Sequence, residues 1–148
     1  MKEIILVSAC LLGINCKYNG GNNINKDLLN MGQDFLFIPI CPEQLGGLPT
    51  PRKPCEIVNQ QKIMTEDGED KSAEYQKGAE ESLQIAVLTG AKLAILKENS
   101  PSCGSQYIYD GTFSKVKIKG QGVCARLLRE NGFRVISENE MNILLQKT

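Results

Sequence analysis

The chain has 148 residues, 41% of them hydrophobic, with 17 basic and 17 acidic side chains and no histidine. That length suits a single domain, residues 1–148, around one buried core, and the composition excludes wholesale disorder. Balanced charge supplies no field to hold a nucleic-acid polymer or a membrane surface, and the missing imidazole removes Ser-His-Asp and Cys-His catalysis together with His-ligated metal.

In chain order, Ile4 to Ala9 is a short apolar, β-branched run, and similar runs recur at Phe35 to Ile40, Lys92 to Leu96 and Phe133 to Ile136. These predict four buried strands. Asn25 caps a helix over Lys26 to Met31 that stops at Gly32. Asp70 or Ser72 opens a long helix with Ala79, Leu83, Ala86 and Val87 on one face, ending before Gly90. A third helix runs from about Gly122 to Asn131, and Ser137 with Glu140 forms a capping box for a last one carrying Met141, Leu144 and Leu145. Glu56 to Val58 and Lys62 to Met64 flank a small hairpin turn, and Tyr107 to Ile118 reads as extended structure turning at Asp110-Gly111. Apolar strands alternating with helices predict an α/β, three-layer, doubly wound (Rossmann-like) domain with a mainly parallel sheet of about four strands.

Six cysteines in 148 residues are too few for a disulfide scaffold. Met1 to Ile4 enters an apolar run with no basic leader or cleavage site, and no run approaches the ~20 residues of a membrane span. A cytoplasmic protein with reduced thiols is therefore expected, and in that setting clustered cysteines mark metal binding or catalysis.

Cys10 ends the first predicted strand, Cys41 ends the second and Cys103 follows the third. Ligands of open α/β sheets sit outside the carboxyl ends of the strands. With a strand order beginning 2-1-3, the three thiols converge on one small inorganic group. Five of the six prolines lie between Pro39 and Pro54, and Pro101 precedes Cys103 by two residues, so the loops are stiffened. Cys124, within a helix, and Cys55 read as packing residues, whereas Cys16 in the first loop fits either a ligand or a neighbour. There is no C-x-x-C pair, which leaves a zinc site or an iron-sulfur cluster as the thiolate-only candidates. Glu43 and Ser100 sit beside these thiols, and a carboxylate in a partly dry pocket is suited to proton transfer, making Glu43 the candidate acid/base. Exposure to solvent, or the capping of a turn, accounts for Glu43 equally well. Arg52 and Lys53 fit either an anionic substituent or ordinary surface charge. Lys115, Lys117 and Lys119 read as the charged face of an edge strand.

The segments Ser8-Ala9-Cys10-Leu11-Leu12-Gly13, Cys41-Pro42-Glu43 with Gly46-Gly47-Leu48-Pro49, and Ser100-Pro101-Ser102-Cys103-Gly104 with Ile108-Tyr109-Asp110-Gly111 resemble the thiouracil desulfidase family, and the resemblance continues to Ser137-Glu138. Cys55 and Cys124 lie outside its motifs. The resemblance implies a 4Fe-4S cluster held by Cys10, Cys41 and Cys103 with one iron open, and Glu43 and Ser100 as the catalytic pair. It implies sulfur removal from a small thiolated pyrimidine, giving uracil and hydrogen sulfide without net redox change. A sulfur-binding or sensing module without turnover is the competing reading, needing the thiols but not Glu43 and Ser100. A metal-free thiol mechanism, with Cys10 and Cys16 as nucleophile and resolver, ranks last because no histidine is present to activate a thiolate.

Overall fold

The computed structural model describes residues 2–145; Met1, residues 146–148 and the Leu145 side chain lie outside the described part. Four strands, β1 (Glu3–Ser8), β2 (Phe35–Ile40), β5 (Leu93–Leu96) and β8 (Arg134–Ser137), form one sheet in the order β2-β1-β5-β8. Every pairing in it is parallel, with Ser8 opposite Ile40 and Leu96 opposite Ser137. Two antiparallel hairpins stand apart, β3 (Cys55–Val58) with β4 (Lys62–Thr65) and β6 (Tyr107–Tyr109) with β7 (Lys117–Lys119).

Strand periodicity divides the core in two. Leu6, Ala94, Leu96 and Val135 face one side, where they meet Ala79, Ala86, Cys124, Ala125 and Leu128. Ile5, Val7, Leu93, Ile95 and Ile136 face the other, against Leu28, Leu11 and Leu144. Both faces are therefore covered by helices, as near-continuous apolar strands require. The helices are α1 (Lys26–Asn30), α2 (Pro42–Leu45), α3 (Ser72–Thr89), α4 (Val123–Glu130) and α5 (Asn142–Leu145). Asn25 caps α1 by accepting from the Leu28 N–H at 3.0 Å. The Ser137/Glu140 capping box is present, closing a 3-10 turn (Glu138–Glu140) that precedes α5. Among the described residues no helix is long and apolar enough to cross a membrane.

Two expectations change. Val87 is 65% exposed. The buried stripe of α3 instead follows Tyr75, Gly78, Ala79, Ser82 and Ala86, and one further residue rotates about 100° out of it. At Gly78 that stripe carries no side chain, and α2 packs directly on it there. A Cβ on Gly78 would lie 1.8 Å from the Pro42 carbonyl oxygen, and one on Gly46 would lie 2.0 Å from that of Glu74. The other change is at Tyr107 to Ile118, where Asp110 and Gly111 begin a longer connection, residues 110–116, between β6 and β7.

Candidate functional site at the strand ends

The order β2-β1-β5 brings the ends of the first three parallel strands side by side. Cys10 lies in a 3-10 turn (Ala9–Leu12) directly after β1, Cys41 is the N-cap residue of α2 directly after β2, and Cys103 lies in the loop after β5. All three line one cavity of about 460 Å³, together with Glu43 and Ser100. The five residues expected from sequence thus share one space.

Each loop is held by contacts distant in sequence. The Cys10 carbonyl accepts from the N–H of Gly13 and of Asn23, at 3.2 and 2.9 Å. Cys41 and Glu43 are carried on α2, whose backbone rests on that of α3 at Gly46 and Gly78. The Cys103 loop serves as the cap of α4: the Pro101 carbonyl accepts from Val123 N–H, and the Ser102 carbonyl from Cys124 and Ala125 N–H, at 2.8–3.2 Å. These donors would otherwise be the orphans of a helix start. Gly122 permits that approach, since a Cβ there would fall 2.4 Å from the Ser102 carbonyl carbon. On the other side of the loop, buried Glu98 accepts from the N–H groups of Ser105, Gln106 and Tyr107 at 2.8–3.1 Å. Burial opposes its charge, but these donors outweigh burial and hold the carboxyl below the ordinary glutamate value.

Glu43 is clamped from two sides. Its Oε1 accepts from Arg52 Nε at 2.9 Å and its Oε2 from the Ser102 hydroxyl at 3.0 Å. The Arg52 side chain is only 5% exposed and also donates to the Cys16 carbonyl at 2.8 Å, to Thr50 Oγ1 and to the Pro49 carbonyl. Arg52 is therefore a structural partner of Glu43, neither solvent-facing nor available as a free anion site. The Ser102 and Ser100 hydroxyls are 2.8 Å apart. Ser100 Oγ already accepts from the Ser102 and Cys103 N–H groups, at 3.1 and 3.0 Å. With the Ser102 hydrogen engaged by Glu43, the Ser100 hydroxyl donates to Ser102, and a directional chain runs Ser100 to Ser102 to Glu43.

The thiols differ in electrostatics. Burial pushes Cys103 well above the ordinary thiol value and raises Cys10, whereas Cys41 is brought down, chiefly by a hydrogen bond from Cys16. Cys16 is 2% exposed at the cavity wall. Among the described residues no three Cys, Asp or Glu gather closely enough to hold a single ion. The donor set, three free thiols from separate strand ends around 460 Å³, fits a polynuclear group bridging them.

Sequence reasoning passed over Ser102, Tyr75, Glu98 and Phe113. Ser102 sits inside a recognised motif, and hydrogen-bond partners 59 positions apart leave no local trace. Tyr75 lies on the buried stripe of α3 and lines the cavity; burial, followed by the Glu43 and Cys55 charges, pushes its hydroxyl up. Cys55 is buried as expected, yet it also lines the cavity, while Cys124 is wholly within the core. Lys53 pairs on the surface with Asp67 and Glu69. Lys115 precedes β7 in a left-handed conformation and lines the cavity, so it does not belong to the charged strand face.

Known proteins resemble this chain over nearly its whole length. A family model described as 2-thiouracil desulfurase matches residues 5–140. The uncharacterized protein YbbK of Bacillus subtilis (strain 168) is 47% identical over 151 residues, spanning 96% of this chain and 100% of that protein. The solved structure of a [4Fe-4S]-dependent thiouracil desulfidase, TudS, has a TM-score of 0.92 at 42% identity, over 99% of this chain and 97% of that one.

Proposed function

The chain belongs to the 2-thiouracil desulfurase family, and on that premise we propose that it is a [4Fe-4S]-dependent desulfidase acting on a small thiolated pyrimidine, a free base or its nucleotide, in the reducing cytoplasm. The observation that carries this reading is the single cavity into which Cys10, Cys41 and Cys103 open beside Glu43 and Ser100. The three thiolates would hold the cluster, and Cys16 is a neighbour whose carbonyl anchors Arg52. When bound, the cluster supplies a Lewis-acidic iron without a protein ligand for the substrate sulfur.

Hydrolytic desulfuration consumes one water, converting the thiocarbonyl to a carbonyl and releasing hydrogen sulfide with no change in oxidation state. The water must lose protons as its oxygen bonds to the ring carbon, and the departing sulfur must gain them. Glu43 takes the first proton, since its carboxylate lines the cavity and is joined through Ser102 to Ser100. Arg52 fixes the carboxylate plane through Oε1 and leaves the acid/base work to the side held by Ser102. Ser100 and Ser102 carry protons between Glu43 and the cavity at their Oγ atoms. Only 15% of the Glu43 side chain is exposed, which limits competition by water for these short links.

The test is an anaerobic iron and acid-labile sulfide determination with a 2-thiouracil turnover assay. About four irons and four sulfides are expected per chain, lost in Cys10→Ala, Cys41→Ala and Cys103→Ala and retained in Cys124→Ala. Glu43→Gln is expected to keep the cluster and lose turnover. Full turnover in that variant would remove Glu43 from the chemistry, whereas a wild-type protein with a full cluster and no turnover would leave the sulfur-binding reading.

A further inference from the structure

A separate part of the cavity wall comes from the β6–β7 hairpin, through Tyr109, Phe113 and Lys115. The Asp110 N–H closes the base of this connection on the Val116 carbonyl at 2.9 Å. Within it Phe113 has φ +58 and Lys115 φ +65. Left-handed backbone at a bulky aromatic residue is sparsely populated and persists where the surroundings impose it.

Those surroundings are identifiable. Glu56, on β3, accepts from the Gly111 and Phe113 N–H groups through the same oxygen, at 3.0 and 3.1 Å. Gly111 packs so closely on β3 that a Cβ there would fall 2.6 Å from the Ile57 carbonyl oxygen. The Asp110 carboxylate holds Thr112 through its N–H and hydroxyl, at 3.0 and 2.6 Å. A bridge between Asn99 and Ile108 then ties the hairpin to the strand end next to Ser100. Neither the thiols nor the Glu43 chain needs Phe113 or Glu56, yet the fold holds a half-buried ring in an uncommon conformation against the catalytic cavity.

We propose that Phe113 is a specificity-determining residue whose ring takes the flat face of the heterocyclic substrate, with Glu56 as the positioning residue that holds it there. The proposal rests on the desulfidase reading above. A pyrimidine thione is planar, and stacking on an aromatic ring orients it while leaving its edge free. That edge carries the thiocarbonyl and is the part Glu43 and Ser100 must reach. Tyr109, from the adjacent strand, lines the same cavity and adds to the aromatic wall.

The experiment compares wild type, Phe113→Leu, Phe113→Ala and Glu56→Ala after anaerobic reconstitution. Steady-state turnover of 2-thiouracil is measured beside calorimetric binding of uracil, the product. Both Phe113 variants are expected to raise KM and the uracil Kd roughly 5- to 50-fold, the scale of stacking one base on one aromatic ring. The kcat value is expected to stay within about twofold, with iron content unchanged. Glu56→Ala is expected to move the same two parameters, and the double variant to be no worse than Phe113→Ala, because both act through one ring. Unchanged KM and Kd in the Phe113 variants overturn the proposal while leaving the desulfidase intact. Loss of iron in Phe113→Leu would make the residue structural and overturn it too. A wild-type protein with a full cluster that neither turns over 2-thiouracil nor binds uracil would overturn the desulfidase reading itself.

Discussion

Ser102 and Glu43, 59 positions apart in the chain, are joined by a hydrogen bond of 3.0 Å from the serine hydroxyl to Oε2. That bond links the loop after β5 to the helix after β2 across the end of β1, and it places Ser102 between the two residues proposed to handle protons. Removing the hydroxyl is expected to break the chain while leaving the thiols in place. Ser102→Ala is expected to lower kcat about tenfold or more, a fraction of the 10²–10⁴ typical of a general acid or base, with normal iron content. Ser102→Thr, which keeps a hydroxyl, is expected to recover most of it. Equal rates for Ala and wild type would make the contact purely structural.

Arg52 is the other half of the clamp on Glu43, and its side chain is almost fully buried. Truncating one member of a buried pair leaves the other charge without compensation, at a cost of about 3 kcal/mol or more. Arg52→Ala is therefore expected to lower the thermal midpoint by roughly 10 °C. Arg52→Lys retains charge but cannot reproduce the fork that also reaches the Cys16 and Pro49 carbonyls. It is expected to fall between the two in thermal unfolding measurements.

Gly78 lies far from the proposed chemistry along the chain but directly beneath the helix that carries Cys41 and Glu43. An added Cβ would meet the Pro42 carbonyl oxygen at 1.8 Å, and backbone on both sides leaves no flexible group to yield. Gly78→Ala is expected to cost about 1–3 kcal/mol through overpacking and to displace α2. Denaturant unfolding reads the first effect. Reduced iron retention relative to an exposed control such as Leu88→Ala reads the second.

Glu98 makes the acid limb of stability testable. Burial raises its carboxyl, but the N–H groups of Gln106, Tyr107 and Ser105 prevail, so its folded value lies below the ordinary 4.5. A depressed folded value means that the stabilisation is complete above about pH 4.5 and is lost as pH falls through the folded value. Unfolding free energy measured from pH 6 downward is expected to decline in this window. Glu98→Gln is expected to flatten that part of the curve while lowering stability at neutral pH, since the amide accepts these hydrogen bonds more weakly.

Much of this architecture is legible in residue order, for physical reasons that operate over short distances. Apolar, β-branched runs bury on both faces, so the four strands at Glu3–Ser8, Phe35–Ile40, Leu93–Leu96 and Arg134–Ser137 follow from local composition. Asn25 and Ser137 mark helical starts because a capping side chain bonds within three residues. The placement of Cys10, Cys41 and Cys103 just beyond strands is equally local, and the parallel order β2-β1-β5 turns it into a shared cavity.

What only the tertiary structure decided is how the side chains around those thiols are partnered. Arg52 and Lys53 read alike in the sequence, either as contacts for an anionic substituent or as surface charge. The fold sends Lys53 outward to Asp67 and Glu69 and buries Arg52 against Glu43. Val87 fits the apolar pattern of α3 but faces solvent, because the buried stripe runs through Ala79, Ser82 and Ala86, one step away. Lys115 fits the alternation of Lys117 and Lys119 yet turns left-handed before the strand begins, and Phe113 shows no periodic signal while Glu56 from another hairpin holds its left-handed backbone. Strand and helix formation are governed by neighbours in the chain. Ion-pair choice, helix contact and loop conformation are governed by neighbours in space, and those exist only once the sheet has brought its strand ends together.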